Sequence, residues 1–429
     1  MQPKQLILTI ACLLVYTHFV SAQTDTAFVR LPLRYADFLA QVGQENRLFA
    51  AEKFNISLAE ASIEIAKIFP DPELGFGWFD NGQRRMQMGY GFETAIGWTL
   101  ELGGKRKARI ALAQSERELT RYLVQDFYRN LRADATLSFL SALHNRFQYQ
   151  VRLSSYQSMR QIALSDSVRY RLGAITEIDA RQSLLEAGAM LNDVFQAEAD
   201  WKSSLAALHL LIARPVSADT LLLPEGDFSR FERNFNLNEL IITAQNNRAD
   251  LMAALQQKDV GEKMLRLAKA NRIIDLGLAA GIGYTSYVTN VIAPTPSFTA
   301  VTGGIAIPLR FSNKFAGELK AAKAVQAQAD VLYQQAELQI QNEVTQAYFQ
   351  YEAAKKQVRQ FNTGLLGEAQ AVLSGKIYSY QRGETSLLEV LNAQRTYNEV
   401  QQNYYSALFQ LAATLVELER AAAIWDIDL

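Results

Sequence analysis

The chain has 429 residues, 49% of them hydrophobic, with 43 Lys and Arg against 44 Asp and Glu for a formal net charge of −1. That length exceeds one core unit of about 150 residues, the apolar share is ordinary for a folded protein, and the near-neutral balance gives no global bias toward nucleic acid. One cysteine and three histidines leave no disulfide framework and no thiolate metal site.

The first residues read as a secretory signal peptide spanning 1–22. Lys4 is the sole charge before Asp25, Leu6 to Val20 is apolar, and Val20-Ser21-Ala22 places small residues before Gln23 in the pattern of a cleavage site. Cys12 lies inside this segment, so the exported chain is expected to carry no thiol, and no cysteine stands at the cleavage point to take a lipid anchor. No later run supplies the ~20 apolar residues of a spanning helix. An exported chain of this kind is periplasmic, secreted, or a barrel in the outer membrane.

Beyond residue 22 the chain is written twice. Gln44-Glu45-Asn46-Arg47 answers to Gln245-Asn246-Asn247-Arg248; Ala66-Lys67 leading to Leu74-Gly75 answers to Ala268-Lys269 leading to Leu276-Gly277; Tyr170, Gly173, Thr176 and Asp179 answer to Tyr380, Gly383, Ser386 and Glu389. Each copy (23–213 and 237–429) predicts the same elements: a helical segment (36–68; 237–271), a glycine-rich strand pair (73–102; 275–310), a very long helix (106–169; 314–379) and a return helix (177–213; 385–424). Residues 214–236, with Pro215, Pro224 and Gly226, read as a non-repetitive linker. In the last helix Val390, Ala393, Tyr397, Val400, Tyr404, Ala407 and Leu411 step by alternating threes and fours, a coiled-coil seam. Some 60 residues at the helical rise make a rod of about 90 Å, longer than a globular domain.

The four predicted strands share a pattern. Leu74, Phe76 and Trp78 alternate with Gly75 and Gly77; Phe92, Ile96 and Trp98 with Glu93, Ala95 and Gly97; Leu276, Leu278, Ile282 and Tyr284 with Gly277, Ala279, Gly281 and Gly283; Val301, Ile305, Ile307 and Leu309 with Ala300, Thr302, Gly304 and Ala306. One bulky apolar row against one small row suits a sheet with lipid on one side and a crowded or watery lumen on the other. Trp78, Trp98 and Tyr284 then suit the membrane interfaces. Four strands do not close a barrel, and hydrocarbon does not tolerate an open edge. Membrane-spanning strands therefore require further copies, two chains giving eight strands and three giving twelve.

The signal peptide, the duplicated plan and the paired Tyr-x-x-Gly turns together resemble the TolC-type outer-membrane efflux proteins. Leu100 to Arg109, reading LELGGKRKAR, resembles their heavy-metal branch, the outer-membrane components of cobalt–zinc–cadmium or copper–silver efflux systems. The resemblance implies a mostly α fold with a transmembrane β portion. Duplicated long α-helical hairpins form an α-barrel, and four strands per chain form a twelve-stranded β-barrel in a homotrimer. The linker lies in an equatorial region. It further implies an outer-membrane channel component of a tripartite efflux system, passing heavy-metal cations, or alternatively drugs, from an inner-membrane pump of the RND type through a periplasmic adaptor. Two other readings stay open: a self-standing porin-like channel and a periplasmic coiled-coil scaffold.

By the same resemblance, Gly173, Thr176, Gly383 and Ser386 sit at the periplasmic tip and dock the adaptor. Asp179, Glu389 and Asn392 line its aperture. Glycine also suits a helix C-terminal turn, and Thr176 and Ser386 suit N-caps. Lys105, Arg106, Lys107 and Arg109, at a helix start where the dipole disfavours cations, mark the membrane boundary, with lipid phosphates or acidic neighbours such as Glu101 as the compensating charge. His144 and His209 read as helix-surface or interface residues, and Met86 and Met88 as ordinary loop residues. No catalytic, cofactor or metal site is expected.

Overall fold

The computed structural model describes residues 29–81, 88–215, 220–309 and 314–427. The expected signal peptide, Met86 and the junctions at 216–219 and 310–313 lie outside these. The described residues begin with β1 (Val29–Arg34), α1 (Tyr35–Glu45) and α2 (Arg47–Lys67), then β2 (Glu73–Asn81) and β3 (Met88–Leu100), then α3 (Lys105–Arg171) and α4 (Glu177–Leu211). After β4 (Thr220–Glu225) the plan repeats as α5 (Leu237–Asn247), α6 (Ala249–Asn271), β5 (Leu276–Thr285), β6 (Phe298–Ala306), α7 (Lys314–Gln360), a π-helical turn (Phe361–Leu365), α8 (Leu366–Gln381) and α9 (Leu387–Ala422). Among the described residues no helix is long and apolar enough to cross a membrane.

Three differences from the sequence reading have local causes. Each opening helical segment is two helices, broken where Asn46 and Arg248 adopt extended backbone (ψ 122° and 125°). Both breaks are stitched to the far end of the same repeat's return helix. The Asn46 amide donates to the Leu211 carbonyl at 2.9 Å, and the Arg248 guanidinium donates to the Ala421 carbonyl at 3.1 Å. The expected linker is not featureless: β4 pairs in parallel with β1, joining the start of the chain to the junction of the repeats. The second long helix is not continuous. It widens into the π turn, where Gly364 holds φ 109°, a conformation nearly closed to residues with a Cβ. Its counterpart α3 runs 67 residues unbroken, about 100 Å.

The main core lies at mid-length, where the linker crosses the helices. Phe38, Phe139, Leu205, Phe231, Tyr351 and Leu415 are almost fully buried there. The Tyr351 hydroxyl donates to the Phe231 carbonyl at 2.9 Å and accepts from the Arg233 amide at 2.6 Å, which fastens the linker to α7. The two described histidines sit at packed positions. His209 is 4% exposed, a core residue rather than a helix-surface one. His144 stacks on Phe409 at 4.8 Å between ring centroids, and burial lowers its pKa. The expected seam of α9 does face inward, with Val390, Ala393, Ala407 and Leu411 buried.

Candidate functional site

The four long strands form one antiparallel sheet in the order β2-β3-β5-β6. Through the middle of the sheet the register sorts the two faces largely by size, with Ala280 and Gly303 the small residues on the bulky side. Phe76, Thr94, Ile282 and Val301 stand opposite one another across the sheet, as do Trp78, Phe92, Tyr284 and Thr299. Paired residues share a face, so this side is bulky and apolar. The other side carries the rows Gly75, Ala95, Gly281, Thr302 and Gly77, Glu93, Gly283, Ala300. No described element covers the bulky face: Leu74, Phe76 and Trp78 are 73%, 72% and 65% exposed. Among the described residues the outer edges of β2 and β6 have no strand beside them. A sheet of this kind is stable only with apolar medium against one face and further strands at both edges.

At the opposite end, both helical hairpins turn by the same chemistry. Gly173 and Gly383 adopt φ 73° and 75°. Each donates to a tyrosine carbonyl three residues back (Tyr170 at 2.9 Å, Tyr380 at 3.0 Å), and the following residue donates five back (Ala174 to Arg169 at 2.8 Å, Glu384 to Ser379 at 2.9 Å). This paired closure satisfies the last carbonyls of a helix, and its left-handed residue is glycine because a Cβ would strain it. Thr176 then caps α4, its hydroxyl accepting from the Asp179 amide at 3.2 Å and donating to the Asp179 carboxylate at 2.7 Å. Ser386 occupies the equivalent N-cap without a side-chain bond; its carbonyl accepts from the Glu389 amide at 3.2 Å.

Asp179 and Glu389 are each the third residue of a return helix, where a carboxylate favours the helix dipole. Their surroundings differ. Glu389 forms an ion pair with Lys376 of its own hairpin. In the first hairpin the position matching Lys376 is Asp166, which is fully buried and reached from the other hairpin: the Tyr380 hydroxyl donates to it at 2.9 Å, and Arg169 approaches it at 3.6 Å while stacking over the Tyr380 ring. Burial pushes the Asp166 carboxyl up. This contact was not anticipated; the sequence held only the inequality of Asp166 and Lys376 at matching positions. Asn392 is exposed one turn beyond Glu389.

The basic cluster is largely neutralised within the chain. Lys105 pairs with Asp275 at 2.6 Å. Arg106 donates to the Lys67 carbonyl at 2.6 Å and covers the Phe69 ring. Arg109 grips Glu101 and donates to the Ile68 carbonyl at 3.2 Å. These cations stitch the start of α3 to the last carbonyls of α2, which have no helical partners of their own, so the acidic-neighbour explanation accounts for Lys105 and Arg109. Lys107 takes no part. Gly103 and Gly104, at φ 74° and 71°, turn the strand into the helix.

Residues 240–423 match the family profile described as "Outer membrane efflux protein". Over 413 residues, 93% of this chain and 95% of its own length, the cobalt-zinc-cadmium resistance protein CzcC of Cupriavidus metallidurans is 23% identical. Among solved structures, CusC superposes with a TM-score of 0.74 at 17% identity, covering 90% of this chain and 91% of that one. A membrane protein from Pseudomonas aeruginosa gives 0.75 at 16% over 90% and 92%. The outer membrane protein VceC of Vibrio cholerae gives 0.70 at 15% over 90% and 95%.

Proposed function

Starting from a chain that resembles the TolC-type outer membrane efflux proteins over nine-tenths of its length, the heavy-metal branch among them, we propose that it is the outer-membrane channel of a tripartite efflux system. Its fold is the one these channels share, and the family is one of transport channels rather than enzymes. The observation that carries the reading is the β2-β3-β5-β6 sheet, apolar on one face, small on the other and open at both edges. Three copies complete twelve strands, the bulky face meets lipid, and the small face with Glu93 lines the lumen. The helices continue the conduit into the periplasm.

The finer assignments are ours. The glycine turns at Gly173 and Gly383, with Thr176 and Ser386, dock the hairpin tips of a periplasmic adaptor, and an RND-type inner-membrane pump supplies the energy. Heavy-metal cations are the cargo, by analogy with the name of the cobalt-zinc-cadmium resistance relative. Asp179 and Glu389, six carboxylates in a trimer, with Asn392 beside them, ring the aperture, and close carboxylates favour cations and water over anions. Lys376 partly offsets that ring through its pair with Glu389.

The test is conductance of the purified protein in planar bilayers. A small, cation-selective conductance is expected, and the Asp179→Ala/Glu389→Ala double variant should lose most of the selectivity. Selectivity unchanged in the variant removes the aperture assignment. A large, constantly open pore favours the self-standing porin, and absence from the outer-membrane fraction favours the periplasmic scaffold.

A further inference from the structure

Where the start of α3 meets the end of α6, directly below β3 and β5, the surface opens into a cavity of about 350 Å3 walled by Lys107, Arg266, Lys269, Gly103, Gly104 and Ile273. Three cations face one small space. Lys107 and Lys269 form no ion pair among the described residues, and Arg266 has only Glu262 of its own helix at 3.9 Å. The acids nearby are already engaged, Asp275 by Lys105 and Glu101 by Arg109.

Lys107 stands in the first turn of α3, which contains no acidic residue and whose N-cap, Gly104, offers no side-chain acceptor. Helix N-termini repel cations and attract anions, so Lys107 is placed against the local field with no ion-pair partner among the described residues to compensate it. A Cβ at Gly104 would meet nothing within 4 Å, which leaves the mouth of the cavity open. Its rim is of the opposite chemistry: Leu102, Ile273 and Ile274 are 40%, 47% and 36% exposed, and above them the bulky face of the sheet begins.

A cationic cavity under an apolar rim, at the level where membrane strands become water-facing helices, matches an amphiphile with an anionic head. We propose that Lys107, Arg266 and Lys269 bind the phosphate headgroup of an anionic glycerophospholipid from the inner leaflet, its acyl chains lying over Leu102, Ile273 and Ile274. The site rests on the membrane reading of the sheet and sharpens it: one lipid class is selected at one groove of each protomer, and the α3–α6 junction is pinned to the leaflet boundary.

Native mass spectrometry and thermal melting of the detergent-purified protein test this with phosphatidylglycerol, with phosphatidylcholine of the same acyl chains, and with inorganic phosphate. Phosphatidylglycerol should bind and stabilise, and phosphatidylcholine should not. Lys107→Gln/Arg266→Gln/Lys269→Gln should weaken phosphatidylglycerol binding roughly a hundredfold, from three basic residues near an anionic surface. A control triple at exposed cations elsewhere, Arg160→Gln/Lys320→Gln/Lys323→Gln, should not. Equal binding of both lipids, unaltered binding by the triple variant, or equal stabilisation by inorganic phosphate alone each overturns the lipid site. A wild-type protein absent from the membrane fraction sinks the functional reading itself, a result distinct from a membrane protein without lipid selectivity.

Discussion

The two repeats share a plan and divide the labour of holding it. In the first, the long helix α3 is unbroken and the opening break is bridged by a neutral amide, Asn46. In the second, the matching break is bridged by Arg248, which is buried and also pairs with Asp250 at 2.6 Å and Glu343 at 2.7 Å. There the long helix is interrupted at Gly364, and its lower piece, α8, buries only Leu373 and Tyr380. The second hairpin tip is thus a short helix hung from a glycine turn and tied across to the first hairpin by Tyr380 and Asp166. Duplication preserved the backbone closures, which depend on glycine and helix geometry. It let the polar contacts diverge, because each had only to satisfy its own neighbours.

The largest expected break in that comparison is at the opening junctions. Arg248→Ala takes their buried partner from the partly exposed Asp250 and Glu343 and leaves the Ala421 carbonyl without its donor, and should cost about 2–3 kcal/mol. Asn46→Ala removes a cap and one hydrogen bond, at about 1–2 kcal/mol. Thermal unfolding of the two variants should rank them in that order, and equal losses would show that the two stitches are interchangeable. At the tips, Tyr380→Phe deprives the buried Asp166 of its donor, at about 1–3 kcal/mol. The exposed Tyr170, which forms no such bond, should tolerate the same change. Limited proteolysis reads the difference as faster cleavage near Gly383 in Tyr380→Phe alone.

A third comparison lies within one helix. Gly364→Ala forces a Cβ into φ 109°, costing roughly 1–3 kcal/mol, whereas Gly367→Ala, one turn on in α8 with nothing within 4 Å of a new Cβ, should gain about 0.5–1 kcal/mol. Opposite shifts in melting temperature are expected, and a loss at both would place the strain elsewhere.

The smallest effect concerns the ends of the return helices. His209 and Glu419 occupy matching buried positions, each followed four residues on by an alanine with positive φ (Ala213 at 52°, Ala423 at 54°). Burial pushes the Glu419 carboxyl up to about 8. Its neighbours are Arg233 at 3.1 Å and Asp426, whose amide donates to it at 3.2 Å. Asp426 itself is held low by its hydrogen bond with Glu419 and by Arg233. Because the folded pKa of Glu419 lies above the unfolded one, its contribution is complete below the ordinary carboxylate range and is lost as pH rises through about 8. The protein should melt at lower temperature at roughly pH 9 than at roughly pH 7, and Glu419→Gln should flatten that slope. A slope unchanged in the variant would assign it to other groups.

Much of this was legible in the residues. Alternation of bulky and small side chains marked all four long strands because a sheet repeats every two residues. The Tyr-x-x-Gly turns were legible because positive φ selects glycine. The breaks at Asn46 and Arg248 were not, since neither residue is a helix breaker and each break is stabilised by a carbonyl more than 160 residues away. Strand β4 was hidden because its partner is β1, almost 200 residues earlier. Of the four basic residues at the start of α3, nothing local distinguished Lys107 from the three that are internally engaged.

The sequence by itself determined the duplication, the rods, the one-sided sheet and the turn chemistry, because each is a periodicity or a backbone constraint written within a few residues. Only the tertiary structure decided which charges are spent and which remain, that the second rod bends at Gly364, and that the two hairpins meet through Tyr380 and Asp166. Those outcomes depend on which distant groups arrive within hydrogen-bonding distance once the helices are packed.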